Sequence, residues 1–443
     1  MSSVLHRQPG KVPPRLSAAQ GLWMTDSDGR RYLDAVSGGA GVSCLGHGNP
    51  QVQEAVRQQL DRVAYAHSSF FTSTPAEELA DHLVAHAPEG ITRAVFCSGG
   101  AEAVETALKL ARQYWVAREE PGRDRIIARR QSYHGATLGA LSVGGNLPRR
   151  ELYQPYLFDT AFIDPCYAYR LKDTDETDAA YGLRAAAALE AEILRIGAHR
   201  VAAFIAEPVV GATLGCAPAV TGYLREIRRI CDRHGVLLIL DEIMCGAGRT
   251  GYQHACQEDG VSPDLLTMAK GLGGGFQPVG AVLVGDRVAQ AITGSKALHH
   301  GLTYMGHPVG CAAALAVQRI LTGEGLIDRA RTQGAWLRAL LAAQLGQHPH
   351  VGDIRGRGLF LGVEIVSDRA SKTPFDPALT LHARIKAAAM ECGLMVYPSG
   401  GTVDGVHGDH VLLAPAFTLS GDEAAEIVAR LGRALDLAIR SIR

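Results

Sequence analysis

The chain has 443 residues, 47% hydrophobic and 20% charged, with a formal net charge of −1. That length supports a large core plus a smaller one, and without a long basic or acidic run neither nucleic acid nor an anionic membrane surface is an expected partner. Nine scattered cysteines with no Cys-x-x-Cys argue against a disulfide framework or a zinc site, and no signal-peptide core or transmembrane-length segment is present, so the expected compartment is a reducing cytoplasm.

In chain order, Arg93 to Cys97 is a short apolar run, followed by Ser98 to Arg112, whose helix formers carry apolar residues at helical spacing. Ile126 to Ala128 and Val201 to Ala206 are further strand candidates. Thr221 is placed to cap a helix with Leu224, Ile227 and Cys231 on one face; Gly235 ends it and the strand Val236 to Leu240 follows. This βαβ rhythm, with nearly continuous apolar strands, predicts a parallel sheet covered on both faces. From Ile327 the pattern changes to a helix (Ala330 to Leu345), two short apolar runs (Leu359 to Ile365, His410 to Leu413) and a closing amphipathic helix from Asp422. The expectation is an α/β protein with a large domain over 51–325, built on a mostly parallel central sheet, and a smaller α+β domain over 326–443. Residues 1–50, including Gly29 to Asp34, are expected to pack with the latter.

Lys270 stands between Ala269 and Gly271, just before Gly273, Gly274 and Gly275. Glycines admit close approach of backbone or ligand, and a primary amine there can condense with a carbonyl. Asp241 ends the apolar run before it, where a carboxylate needs a cation partner: a protonated pyridine nitrogen, or a basic side chain such as Arg249. Lysine plus aspartate suggests pyridoxal phosphate. Ser98-Gly99-Gly100-Ala101-Glu102 reads as a phosphate cradle at a helix start, or as a plain tight turn. Tyr133, before His134 and Gly135, can stack on a planar ring or sit in the core. Glu207, held at a strand end by Pro208, is a rim carboxylate or a cap. Gly246 to Gly251 matches G-x-G-x-x-G, but three residues separate it from the strand and no helix starts inside it, which makes a Rossmann role poor. The histidines around Gly301 (His299, His300, His307) lack carboxylates or cysteines at ligand spacing, so turn chemistry is the simpler account and no metal is expected. Thr303 offers a hydroxyl to phosphate. Arg355 can fork onto a substrate carboxylate or make a structural ion pair.

These pieces occur in the order and spacing of the class III aminotransferases, the fold-type I (aspartate aminotransferase-like) pyridoxal phosphate group that includes ornithine, GABA and ω-amino acid transaminases. The resemblance runs from about Gly21 to the C-terminal helix and rests on Asp241 to Gly251, Lys270-Gly271, Tyr133-His134-Gly135 and His300 to Pro308. It implies that Lys270 forms the internal aldimine and shuttles the proton, that Asp241 binds the ring nitrogen, and that Ile243 and Tyr133 flank the ring. Gly99 and Gly100 would bind phosphate with Ser98 beside them, and Glu207 would lie near the ring substituents. Thr303 would reach the neighbouring subunit's phosphate, so a homodimer with shared sites, or a tetramer built from it, is implied. The substrates implied are a primary amine or ω-amino acid donor and a 2-oxo acid acceptor, pyruvate or 2-oxoglutarate.

The chain departs from this pattern twice. In amine:pyruvate transaminases a mobile arginine for the keto-acid carboxylate commonly precedes the segment matching Gly408 to Pro415; Gly405 stands there. Ornithine-type enzymes carry an arginine nearer Ala414, where this chain has Leu412. His407, His410 and Arg355 are the candidate replacements. Ser43 takes a position where amine transaminases often carry tryptophan, which is expected to widen the pocket for a bulky or long amine. The rival readings are an epimerase, aminomutase or decarboxylase with the same cofactor, an NAD-dependent dehydrogenase built on Gly246 to Gly251, and a non-catalytic binding module.

Overall fold

A computed structural model describes residues 2–295 and 297–442. Its centre is a seven-stranded sheet in the order Ile91–Cys97, Gly280–Gly285, Leu265–Met268, Leu237–Asp241, Val201–Ala206, Arg125–Arg129, Ala161–Ile163. Leu237–Asp241 pairs parallel with both neighbours, as does Arg125–Arg129. Only Gly280–Gly285 runs antiparallel, inserted between Leu265–Met268 and Ile91–Cys97.

The central strand shows why such strands are apolar at every position. Successive side chains point to opposite faces. Leu238 and Leu240 join the core that holds Leu224, Ile227 and Phe204, whereas Leu237 and Ile239 join the opposite one with Val104, Leu110 and Ile205. The helix Gly100–Ala117 covers the second face. The helix Tyr223–His234 covers the first, held between two left-handed glycines, Gly222 (φ 94°) and Gly235 (φ 66°). Gly235 is the expected stop. The start differs from expectation: Gly222, not Thr221, is the N-cap, because a left-handed glycine makes the entry turn.

A separate core gathers the C-terminal elements. The strands Val351–Arg357, Phe360–Ile365, Asp409–Leu413 and Tyr397–Gly400 form an antiparallel sheet. Helices Leu326–Leu345 and Gly421–Arg440 contribute Leu337, Leu341, Ile427 and Leu431 to that core. The closing helix starts with a full capping box, Ser420 with Glu423. Near the amino terminus, strands Leu16–Gln20, Trp23–Asp26 and Arg31–Asp34 make a small sheet that Leu394–Met395 completes, pairing Leu33 with Leu394.

Leu240 is fully buried one residue before Asp241. Leu240→Ala is expected to lower unfolding free energy by about 2–5 kcal/mol, read from denaturant titration of the cofactor-free protein.

Candidate active site

Open parallel sheets bind ligands beyond the carboxyl ends of their strands. Here those ends deliver Ser98-Gly99 after Cys97, Glu207 after Ala206, Asp241, and Lys270 shortly after Met268. Gly99, Gly100, Tyr133, His134, Glu207, Asp241, Ile243 and Lys270 all line one cavity of about 640 Å³.

Asp241 is 3% exposed. One carboxylate oxygen accepts from the Ile243 amide at 3.0 Å and the Thr267 hydroxyl at 3.1 Å; the other meets His134 Nδ1 at 2.7 Å. Arg249, the alternative sequence partner, is elsewhere. Its guanidinium donates to the Leu359 carbonyl and the Ser37 hydroxyl, both at 3.2 Å, and to the Pro415 carbonyl, and it stacks 4.7 Å from Phe417. His134 is also buried, and its Nε2 has no partner among the described residues.

Lys270 has φ 49°, a left-handed conformation costly for a residue with a Cβ. The turn is held by Gly273 and Gly274, whose amides donate to the Lys270 carbonyl at 3.1 and 3.0 Å, and by Leu272, fully buried beneath it. The surrounding protein pushes the ammonium pKa below its ordinary value; Asp241 and Glu207 pull it back up, and Arg149 adds to the lowering.

The helix Gly100–Ala117 starts at Gly99 with extended backbone and no side-chain cap, leaving first-turn N–H groups for another acceptor. A Cβ at Gly99 meets nothing within 4 Å, whereas one at Gly100 lies 3.0 Å from Ile243. Gly135, at φ 136°, lets the segment after Tyr133 pass within 2.8 Å of Ala101, measured from a built Cβ. Ser98 donates its amide to Glu102 at 2.8 Å and is not part of the cavity lining. Glu207 accepts from the amides of Tyr133 and Gly211, each at 3.1 Å, and burial raises its pKa. A buried carboxylate for a ring nitrogen, an amine with depressed basicity and an uncapped helix start make a donor set that fits pyridoxal phosphate.

Other expected residues are not at the cavity. Ser43 lies behind the wall: its hydroxyl would be 3.1 Å from a Cβ on Gly38 and 3.0 Å from one on Gly275. The lining there is Gly38, Gly39, Ala40 and Val42, so Ser43 does not widen the pocket directly. Arg355 is locked away by Glu364 at 2.6 Å, Asp353 at 3.0 Å, the Leu214 carbonyl and the Tyr167 ring; the structural ion pair is the reading that holds. His407 is at the surface, paired with Asp404 at 2.7 Å. His410 is buried against Thr402 at 2.7 Å, with its pKa lowered to about 3 by burial; a neutral ring cannot ion-pair with a carboxylate. Gly405 borders an adjoining groove. Thr303 is exposed, and its carbonyl accepts from the Tyr65 hydroxyl at 2.9 Å. His300 bonds Thr106 at 2.9 Å and His307 caps the helix Pro308–Gly323, so these histidines do not converge. Gly246 to Gly251 is a run of turns, with Gly248 packed on Phe417 and Gly251 on Arg331; no helix starts there, which removes the dehydrogenase reading.

Sequence reasoning missed Arg7, Arg149, Met244 and Tyr397, all of which line the cavity. The only sequence signal for Arg149 was a basic pair after Pro148.

The chain matches the family described as Aminotransferase class-III over residues 6–435. It is 45% identical over 441 residues to an uncharacterized aminotransferase of Schizosaccharomyces pombe, covering 99% of this chain and 96% of that protein. Among solved structures it resembles a thermostable (S)-enantioselective omega-transaminase from Thermomicrobium roseum (TM-score 0.91, 37% identity, 98% of this chain and 96% of that one). It also resembles an amine transaminase from an uncultivated Pseudomonas species in the PLP-bound, internal aldimine form (TM-score 0.91, 36% identity, 98% and 99%). The chain belongs to the class-III aminotransferase family, pyridoxal-phosphate enzymes of fold type I that move an amino group from an amine to a keto acid.

Proposed function

We propose that the donor is a primary amine or ω-amino acid, that the acceptor is pyruvate or 2-oxoglutarate, and that the enzyme works as a cytoplasmic homodimer. The observation that carries the catalytic reading is Lys270 and Asp241 lining one cavity, with His134 bonded to the far oxygen of the aspartate at 2.7 Å.

Asp241 would hold the cofactor's ring nitrogen, the Gly99–Gly100 amides its phosphate with Ser98 behind them, and Tyr133 and Ile243 its two faces. When bound, pyridoxal phosphate supplies an aldehyde that condenses with amines and a cationic ring that withdraws electrons from the neighbouring carbon. His134 and Thr267 fix the Asp241 carboxylate, which would keep it in place for that ring nitrogen. Lys270 Nζ, whose proton affinity is lowered by desolvation, would take the proton from the substrate carbon bearing nitrogen and hand it on to the cofactor side within the same half-reaction, the second half running that transfer in reverse. Glu207 steadies the Tyr133 backbone. The division at 51–325 and 326–443 is also our reading; Tyr397, on the later side, lines the same cavity as Lys270.

The dimer reading is supported by exposed apolar side chains: Phe70 at 79%, Phe71 at 70% and Tyr304 at 56%, the last adjacent to Thr303. Nine unpaired cysteines suit a reducing cytoplasm.

Four outcomes test this reading. A panel of primary amines and ω-amino acids should bleach the cofactor absorbance, and pyruvate or 2-oxoglutarate should restore it; product formed without that colour cycle would sink transamination in favour of an epimerase, aminomutase or decarboxylase. Lys270→Ala should abolish turnover, and Asp241→Asn should cut kcat at least about 100-fold. Sedimentation should give twice the chain mass; a monomer that is fully active contradicts a shared site. Finally, the folded pKa of Lys270 is depressed below 10.5, so native protein sheds this proton before unfolded chain does. Cofactor-free protein should therefore gain stability from Lys270 as pH rises from the depressed value toward about 10.5, and Lys270→Met should flatten that slope in denaturation curves.

A further inference from the structure

The cavity holds a cation that none of these roles uses. Arg149 and Arg150 are neighbours on the short helix Leu147–Arg150, which Pro148 helps to start. They live differently. Arg150 is buried, donates to the carbonyls of Leu141 at 3.2 Å, Gly144 at 2.7 Å and Ser142, and lies 4.7 Å from the Phe162 ring. It anchors the helix.

Arg149 is exposed and lines the cavity that Lys270 also lines. Its guanidinium carbon sits 4.6 Å from the Tyr133 ring centroid. Among the described residues no carboxylate or carbonyl is bonded to that guanidinium. Stacking occupies a face and leaves the N–H edges free, which suits a planar two-oxygen ligand. The cavity's carboxylates are otherwise engaged: Asp241 by His134 and Thr267, Glu207 by two amides.

Position 405 adds a second observation. Gly405 carries no side chain and packs on Pro148, whose Cδ is 3.1 Å from a Cβ built there. Gly405, Pro148 and Arg149 border the same groove. A guanidinium from position 149 thus lies between the groove at Gly405 and the cavity at Lys270.

We propose that Arg149 binds the carboxylate of the 2-oxo acid acceptor, and of the amino acid made from it, through a two-pronged hydrogen bond. This rests on the oxo-acid reading above and names the residue that discriminates such acceptors from plain aldehydes.

The test compares cofactor-loaded wild type, Arg149→Gln, Arg149→Lys and Arg7→Gln, the last removing the cavity's other arginine. The ratio of kcat/KM for pyruvate to that for butanal should fall about 10- to 100-fold in Arg149→Gln, mainly through KM. Arg149→Lys should recover part of it. Calorimetry should show binding of propionate, which cannot react, and its loss in Arg149→Gln with an unchanged melting temperature. An equal loss for both acceptors would make Arg149 structural, and a ratio change confined to Arg7→Gln would assign the role to Arg7; either overturns the proposal. If wild type accepts no 2-oxo acid, the acceptor reading has failed, and the propionate measurement alone decides whether Arg149 is a carboxylate site.

Discussion

The candidate site is organised around one carboxylate that is held in place by hydrogen bonds while it is almost out of water. Asp241 is held at the end of a strand buried on both faces, with one oxygen on a backbone amide and Thr267 and the other on His134. Desolvating such a group is costly unless hydrogen bonds and a cation compensate. The protein supplies the hydrogen bonds, and on the proposed reading the ring nitrogen of the cofactor would supply the cation. Because the aspartate belongs to the strand itself, its position is set by the packing of Leu237 to Leu240 rather than by a loop.

The remaining parts meet that carboxylate because neighbouring chain ends reach the same edge. Gly280, at the start of the antiparallel strand, pairs with Cys97 and brings Pro278 and Val279 to the cavity. Two backbone arrangements make the closeness possible. Gly135 takes a positive φ against Ala101, and Lys270 accepts a left-handed conformation because the turn through Leu272 and Gly274 leaves it no other. Strain at Lys270 is offset by ordinary packing around it.

Much of this was legible in the sequence because its signals were local. The strand Val201–Ala206 and the stop at Gly235 follow from apolar runs and glycine, and the cluster around Lys270 and Asp241 follows from chemistry at strand ends. What the sequence left open turned on side-chain direction and distant partners. Arg355 and His410 lie in strands that face Glu364, Leu214 and Thr402, which only the fold reveals. Ser43 is displaced from the cavity because the preceding Gly38 and Gly39 take positive φ and put their own backbone at its wall. Arg149 was invisible because nothing in a basic pair tells which arginine is anchored. The N-terminal strands were missed for a similar reason: Leu33 is paired with Leu394, far along the chain.

The cavity draws its floor and its roof from different cores. Asp241 follows a strand gripped by packing on both faces, whereas Met244 and Tyr397 pack in a smaller cluster with Val36, Phe360 and Leu412. Mutational tolerance is therefore unevenly distributed. Met244 and Tyr397 answer to a different set of packing partners from Leu237 to Leu240. Such an arrangement would let substitutions at Met244 or Tyr397 reshape the cavity while the strand that carries Asp241 keeps its own packing.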